Sequence, residues 1–246
     1  RLTDTPQGLG LPPIEKFRND YASNSEKNVK ERELTVREIL FNYVFANKYI
    51  WILAAGYYFV YMIRTAINDW TVLYLVESKG YTPLGASGII VWFEAGGVFG
   101  SLCAGWASDI IFQARRGPIL VIFSLAVAAS VGFFLYMGVM TSLPVVDCLM
   151  LFTFGFCIFG PQMMIGMAAA ELSHKKAAAT ASGFTGCVAY LGAATAGYPL
   201  GYIIQNYGWN GFFVALMACG IISALILLPL WSVKSRCFCL PPLPTP

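Results

Sequence analysis

Halfway along a long apolar stretch stands one cation, Arg64. It lies 15 positions after Tyr49 and 11 before Leu75, too deep to snorkel easily to either end of a membrane span. A charge at that depth costs at least ~2.5 kcal/mol on insertion scales and usually lines a polar pathway. Its planar guanidinium fork matches the oxygens of a phosphate. Tyr57, Tyr61 and Asn68 lie seven, three and four residues from it, spacings that put them on its face of a helix. The stripe reads as a cation among donors, suited to an anion. The competing reading is a structural arginine paired with a carboxylate. Glu94 offers such a carboxylate: it sits inside another apolar stretch, after Trp92 and Phe93 and before two glycines. It could pair with Arg64, act as a gate or carry a proton. Asp69 falls about 140° round the helix from Arg64 and reads as a packing or capping residue.

Little else in the chain could do chemistry. His174 is the single histidine, in the loop Ser173-His174-Lys175-Lys176, with no His or Cys close by in sequence. It reads as a loop residue. Five of the seven cysteines lie in apolar stretches, where Cys behaves as a small hydrophobe. Cys237 and Cys239 form a C-x-C, and two thiolates do not close a zinc site. The sequence contains no nucleophile–base pair, Walker A loop or nucleotide fingerprint. No catalytic residue, metal, cofactor or nucleic-acid partner is therefore expected, and neither an enzyme nor an ATP-driven pump is supported.

The elements that would position Arg64 and Glu94 are membrane helices. Of 246 residues, 57% are hydrophobic and 12% charged, against about 25% charged in a soluble domain. Six apolar stretches approach the ~20 residues that cross a bilayer: about Tyr49–Leu75, Leu84–Trp106, Pro118–Met140, Val145–Ala170, Ala177–Ile204 and Gly211–Trp231. Gly96, Gly100, Gly155 and the pair Gly197 and Gly201 would let helix backbones approach closely. The expected organisation is a polar linker over 1–48, a six-helix transmembrane bundle over 49–231 and a Pro-rich tail over 232–246. Thr35-Val36-Arg37-Glu38 fits a capping box and opens a short amphipathic helix through Phe45, expected to lie on the membrane surface. The chain begins at Arg1 with a polar segment and reads as a fragment of something longer.

The basic residues orient the bundle. Fourteen of the sixteen Lys and Arg fall on one side of the expected spans: eight through Lys48, then Arg115 and Arg116, Lys175 and Lys176, and Lys234 and Arg236. The opposite loops hold only Lys79. The positive-inside rule then makes both ends of the chain cytoplasmic. The alternation played no part in drawing the spans, so it supports six of them independently.

Gly105-Trp106-Ala107-Ser108-Asp109 followed by Arg115-Arg116-Gly117 resembles the loop motif that recurs between the second and third helices of each half in the major facilitator superfamily. Three stretches narrow this to the organophosphate:phosphate antiporters. Tyr61-Met62-Ile63-Arg64-Thr65-Ala66-Ile67-Asn68-Asp69-Trp70 looks like their seventh helix. Phe159-Gly160-Pro161-Gln162-Met163-Met164-Ile165-Gly166 looks like their tenth. Glu171 to Phe184 looks like their tenth-to-eleventh junction. The resemblance runs from about Leu11 to Trp231. It is nearest to bacterial hexose-phosphate transporters and their membrane-sensor relatives, and more distant from the glycerol-3-phosphate branch.

The resemblance implies an all-α transmembrane fold, the six-helix C-terminal half of a twelve-helix transporter in an inner membrane, with an N-terminal six-helix half as partner. It implies exchange of hexose 6-phosphate, glucose 6-phosphate foremost, for inorganic phosphate by alternating access. The alternatives are a sensor of external glucose 6-phosphate or a glycerol-3-phosphate:phosphate antiporter. Arg64 matches the C-terminal one of two phosphate-gripping arginines. Tyr61 and Glu94 match positions near the site, and Tyr190 an aromatic position in the eleventh helix. A tyrosine of the glycerol-3-phosphate branch stands here as Phe159, without its hydroxyl.

The charge pattern predicts the topology. In sealed right-side-out vesicles, protease tags placed before Tyr49 and after Trp231 should stay intact until the membrane is opened. Cleavage of either from outside reverses the orientation.

Overall fold

The computed structural model describes Gly10 and residues 35–113, 115–137, 143–174 and 177–233. Most of the expected linker and nearly all of the tail lie outside the described residues. The helices belong to the second of two compact units, Val36–Pro246. Every regular element among the described residues is helical, as lipid demands: with no water to satisfy them, backbone amides and carbonyls must pair within a helix.

Local chemistry sets most helix ends. A helical turn, Val36–Glu38, runs into a π-helical stretch, Ile39–Phe45. It covers the stretch read from sequence as a short amphipathic helix; it buries Val44 against Ile50 and Ala181 and leaves Phe41 and Phe45 exposed. Helix α1, Lys48–Lys79, starts at Asn47, whose side chain accepts the Tyr49 amide at 3.0 Å and donates to the Leu172 carbonyl at 2.9 Å. It stops at Gly80, left-handed at φ 71°, a conformation glycine adopts without strain. Helix α2, Pro83–Ile110, is capped by Thr82 with Pro83 in its first turn, where a missing N–H costs nothing. Helices α3, Arg116–Met137, and α4, Pro144–Glu171, follow.

The last two crossings differ from expectation. Helix α5, Ala178–Thr195, ends well before Ile204, and helix α6 covers Tyr198–Leu227 with a non-helical residue, Gly208, at φ 68° and ψ −171°. Pro199 has no N–H to continue the ladder from α5. Just past the end of α5, the Ala196 carbonyl accepts the Trp70 indole N–H at 2.9 Å. By length and hydropathy five stretches suit a membrane, the fifth being Ala178–Leu230 with 53 residues. That is roughly 80 Å of helix against a ~30 Å hydrocarbon core, enough to cross twice.

Contacts with α1 show where it turns. Gly192 meets Tyr58 and Gly201 meets Trp70, so the chain up to Gly201 runs parallel to α1. Beyond Gly208 the order reverses: Trp209 and Phe213 lie beside Tyr74, Cys219 beside Met62, and Leu227 against Gly56. Gly208 is therefore the turn between crossings five and six.

Glycines bring α2 and α4 into backbone contact. A Cβ at Gly96 or Gly100 would stand 2.0 Å from the Phe152 or Phe156 carbonyl oxygen, and one at Gly155 would stand 1.8 Å from that of Phe93. Large side chains point the other way: Val91, Trp92, Val98, Phe99, Leu102 and Trp106 of α2 are exposed, an apolar surface suited to lipid or to another helical body.

Both ends of the bundle are tied by ions. At one end the Arg116 guanidinium donates to Glu171 of α4 at 2.9 Å and to Asp109 and Ser108 of α2 at 2.6 and 2.9 Å. At the other, Lys79 closing α1 pairs with Asp147 opening α4, their side chains 4% and 2% exposed. The Tyr81 phenol donates to the second Asp147 oxygen at 2.9 Å. Burial first, and then Asp147, push that phenol up to about 12. The raised value favours the protonated phenol, so its contribution is complete below the ordinary value of about 10 and is lost as pH climbs past 12. Tyr81 thus remains a donor at physiological pH. Lys79 also lies 5.5 Å from the Phe134 ring centroid.

Removing one member of a buried ion pair costs ~3–5 kcal/mol, whereas replacing both with apolar residues is often neutral. Asp147→Ala should lower the unfolding temperature in detergent clearly, and the double change Lys79→Met with Asp147→Leu should recover most of the loss. Equal midpoints for Asp147→Ala and the unaltered protein would remove the clamp from the list of stabilising contacts.

Candidate functional site

Four helices converge on Arg64. The core face of α1 is set by Val60, Ile63, Ala66 and Ile67, all 4% exposed or less. That leaves Arg64 on the other face, its side chain 31% exposed. From α2, Glu94 reaches it with Oε1 at 4.0 Å from Nη2 and its own side chain 53% exposed. From α4, the Phe159 ring centroid lies 4.9 Å from the guanidinium carbon, and from α1 itself the Tyr61 ring lies at 5.9 Å. Tyr190 of α5 packs on Tyr61 at 5.4 Å, and Tyr57 packs on it from one turn below at 4.8 Å.

This geometry is an open grip. The carboxylate stands at the outer limit of an ion pair and is well solvated, so its hold is weak. The Arg64 Nε is buried without a hydrogen-bond partner among the described residues. A buried donor of a charged group left unsatisfied is costly, and an oxyanion would relieve it. The two aromatic contacts are of the cation–π type, with ring centroids 4.9 and 5.9 Å from the guanidinium carbon, and use none of its N–H donors in a hydrogen bond.

Of the six residues singled out from sequence, the structure gathers Arg64, Tyr61, Tyr57, Glu94 and Tyr190 into one cluster. Asn68 is placed apart, exposed, with its amide donating to Asp69 at 3.1 Å. Asp69 is exposed as well and accepts from that neighbour. His174 lies against Tyr43 at 5.0 Å between ring centroids. Sequence reasoning treated Phe159 only as a lost hydroxyl; its ring is in fact one of the guanidinium's contacts. Nothing in the spacing of residues 64 and 159 could reveal a contact between helices that far apart in the chain. It also missed Asp147, which reads as an N-terminal helix acid until Lys79 is found beside it.

Comparison with known proteins places these features in a lineage. The Major Facilitator Superfamily profile matches residues 9–197. The chain is 49% identical to the probable hexose phosphate transport protein of Chlamydia trachomatis serovar D, over 96% of this chain and 53% of that protein. It is 45% identical to the membrane sensor protein UhpC of Escherichia coli K12, over 96% and 53%. It is 41% identical to the glycerol-3-phosphate transporter of Bacillus subtilis 168, over 96% and 52%. The chain thus spans about half the length of the curated relatives it matches. These three relatives carry names for different roles at identities between 41% and 49%, so overall identity does not choose among them.

The placement of Glu94 yields a test. A counter-ion that a ligand displaces competes with that ligand. In the intact polypeptide, Glu94→Gln should therefore change anion binding or its pH dependence while the yield of folded protein stays near normal. Kinetics identical to the unaltered protein across pH would take Glu94 out of the site.

Proposed function

We propose a role in phosphate-ester exchange for this chain, which belongs to the Major Facilitator Superfamily and is a multi-pass membrane protein rather than an enzyme. It forms the C-terminal half of a secondary carrier that exchanges hexose 6-phosphate, glucose 6-phosphate foremost, for inorganic phosphate. The observation that carries this reading is the half-buried Arg64, whose Nε has no hydrogen-bond partner among the described residues and whose charge is opposed among them by a distant, solvated Glu94. Relatives of the same family named for hexose phosphate transport add support.

In this reading Arg64 takes two oxygens of the phosphate dianion through its fork. The dianion displaces Glu94, and the hydroxyls of Tyr57, Tyr61 and Tyr190 line the approach, with Asn68 one turn farther along. A second six-helix half supplies another cation across the midplane, in the manner of repeat-built carriers. Neutralising both cations lowers the cost of closing the site, and rocking of the halves exposes it to the other side. The bundle sits over 49–231 in an inner membrane, with the linker 1–48 and the tail 232–246 cytoplasmic. The likeness to a membrane sensor protein favours one further reading: the same grip reports external glucose 6-phosphate without sustained flux. Counterflow of labelled phosphate in vesicles separates the two, since a sensor binds without exchanging. Competition by glycerol 3-phosphate tests the remaining substrate alternative.

Arg64→Lys keeps the charge and loses the fork. Losing a buried charge-assisted contact costs ~2–5 kcal/mol, and about 1.4 kcal/mol is tenfold in affinity. Inorganic phosphate and glucose 6-phosphate should therefore weaken together by at least about tenfold, and unphosphorylated glucose should compete in neither protein. Well-folded Arg64→Lys and Arg64→Ala proteins with unaltered phosphate affinity would make Arg64 structural and end this reading.

A further inference from the structure

Phe159 and Gly97 stand out once the guanidinium contacts are set side by side. The Glu94 oxygen is 4.0 Å from the guanidinium and half exposed, so it exerts little directional hold. The Phe159 ring is the nearer of the two aromatic contacts, 4.9 Å from the guanidinium carbon against 5.9 Å for Tyr61. Phe159 itself has a fixed seat. Phe93, fully buried, meets its ring at 5.6 Å with a 70° interplanar angle. Gly97 lies directly behind it: a Cβ there would come within 2.6–2.9 Å of three Phe159 ring carbons, closer than carbon atoms approach. Gly96, Gly100 and Gly155 bring the α2 and α4 backbones into contact on either side of it, so a side chain at position 97 would have to displace the ring or open that contact.

We infer that Phe159 is a positioning residue for the anion grip: its ring face carries the Arg64 guanidinium, and Gly97 is the recess that lets the ring lie there. This inference rests on Arg64 being the phosphate-holding group. The physical reason is the quadrupole of the ring. Its electron-rich face attracts the cation without using any N–H, so the fork is oriented while its donors remain free. A carboxylate in the same place would hold the cation more strongly and occupy the donors that a phosphate needs.

The decisive experiment changes the ring's electrons and not its shape. In the intact polypeptide that carries this chain, reconstituted in nanodiscs, Phe159 is replaced by mono-, di- and trifluorophenylalanine. Fluorination drains the ring face stepwise at nearly constant volume. Inorganic phosphate affinity should fall step by step, by roughly two- to thirtyfold over the series, the range a cation–π contact supports. Phe159→Leu should fall as far as the trifluoro protein, and Phe159→Tyr should keep most of the binding. Gly97→Ala should weaken phosphate in the Phe159 background and add little in the Phe159→Leu background, because it acts through the ring.

A ligand-free reading accompanies these measurements. The Nε–Hε resonance of Arg64 should carry a ring-current shift that disappears in Phe159→Leu. If phosphate does not bind the unaltered protein and the ring-current shift is present, the proposed substrate is wrong and the platform stands. If phosphate binds, Arg64→Ala abolishes binding, and the fluorinated series is flat, the platform is wrong and the phosphate grip stands.

Discussion

A positive charge placed halfway along an apolar helix has to be held by something other than water. Two aromatic rings lie with their centroids 4.9 and 5.9 Å from the Arg64 guanidinium carbon, a carboxylate stands at 4.0 Å, and Nε has no hydrogen-bond partner among the described residues. A fully satisfied arginine in this position would be a structural ion pair of the kind that stiffens a bundle. The one here is incompletely satisfied among the described residues.

The rest of the architecture contrasts sharply with the site. At the ends of the bundle the charges are fully engaged. Arg116 gathers Glu171, Asp109 and Ser108, and Lys79 and Asp147 bury each other with Tyr81 donating to the second oxygen. These clusters tie α2, α3 and α4 at one end and α1 to α4 at the other. Between them α2 and α4 touch through their backbones at three glycines. The loop motif seen in the sequence therefore has a structural meaning: Asp109 and Arg116 are two arms of one knot.

The exposed apolar face of α2, from Val91 to Trp106, would be a liability in water. In a bilayer it is an ordinary surface, because lipid is as apolar as leucine. The same surface is available to a second helical body, and the chain spans about half the length of its relatives.

Much of this was legible in the sequence because it depends on local rules. Crossing a bilayer takes about twenty apolar residues, so the first four helices could be placed from composition alone. Arg64 was conspicuous because a charge is rare where everything around it is oil, and helical spacing put Tyr57 and Tyr61 on its side. Tyr190 came from family resemblance and not from spacing. What the sequence could not decide is everything set by one helix meeting another. The break at Gly197 and Pro199 and the turn at Gly208 lie within one continuous apolar stretch, and only the order of contacts along α1 tells a kink from a crossing. Lys79 meets Asp147 across 68 residues, and Phe159 reaches Arg64 only because Gly97 leaves room behind it. Hydropathy reads each helix against its solvent. Which side chains meet depends on how closely two backbones can approach, and that was decided by the tertiary structure.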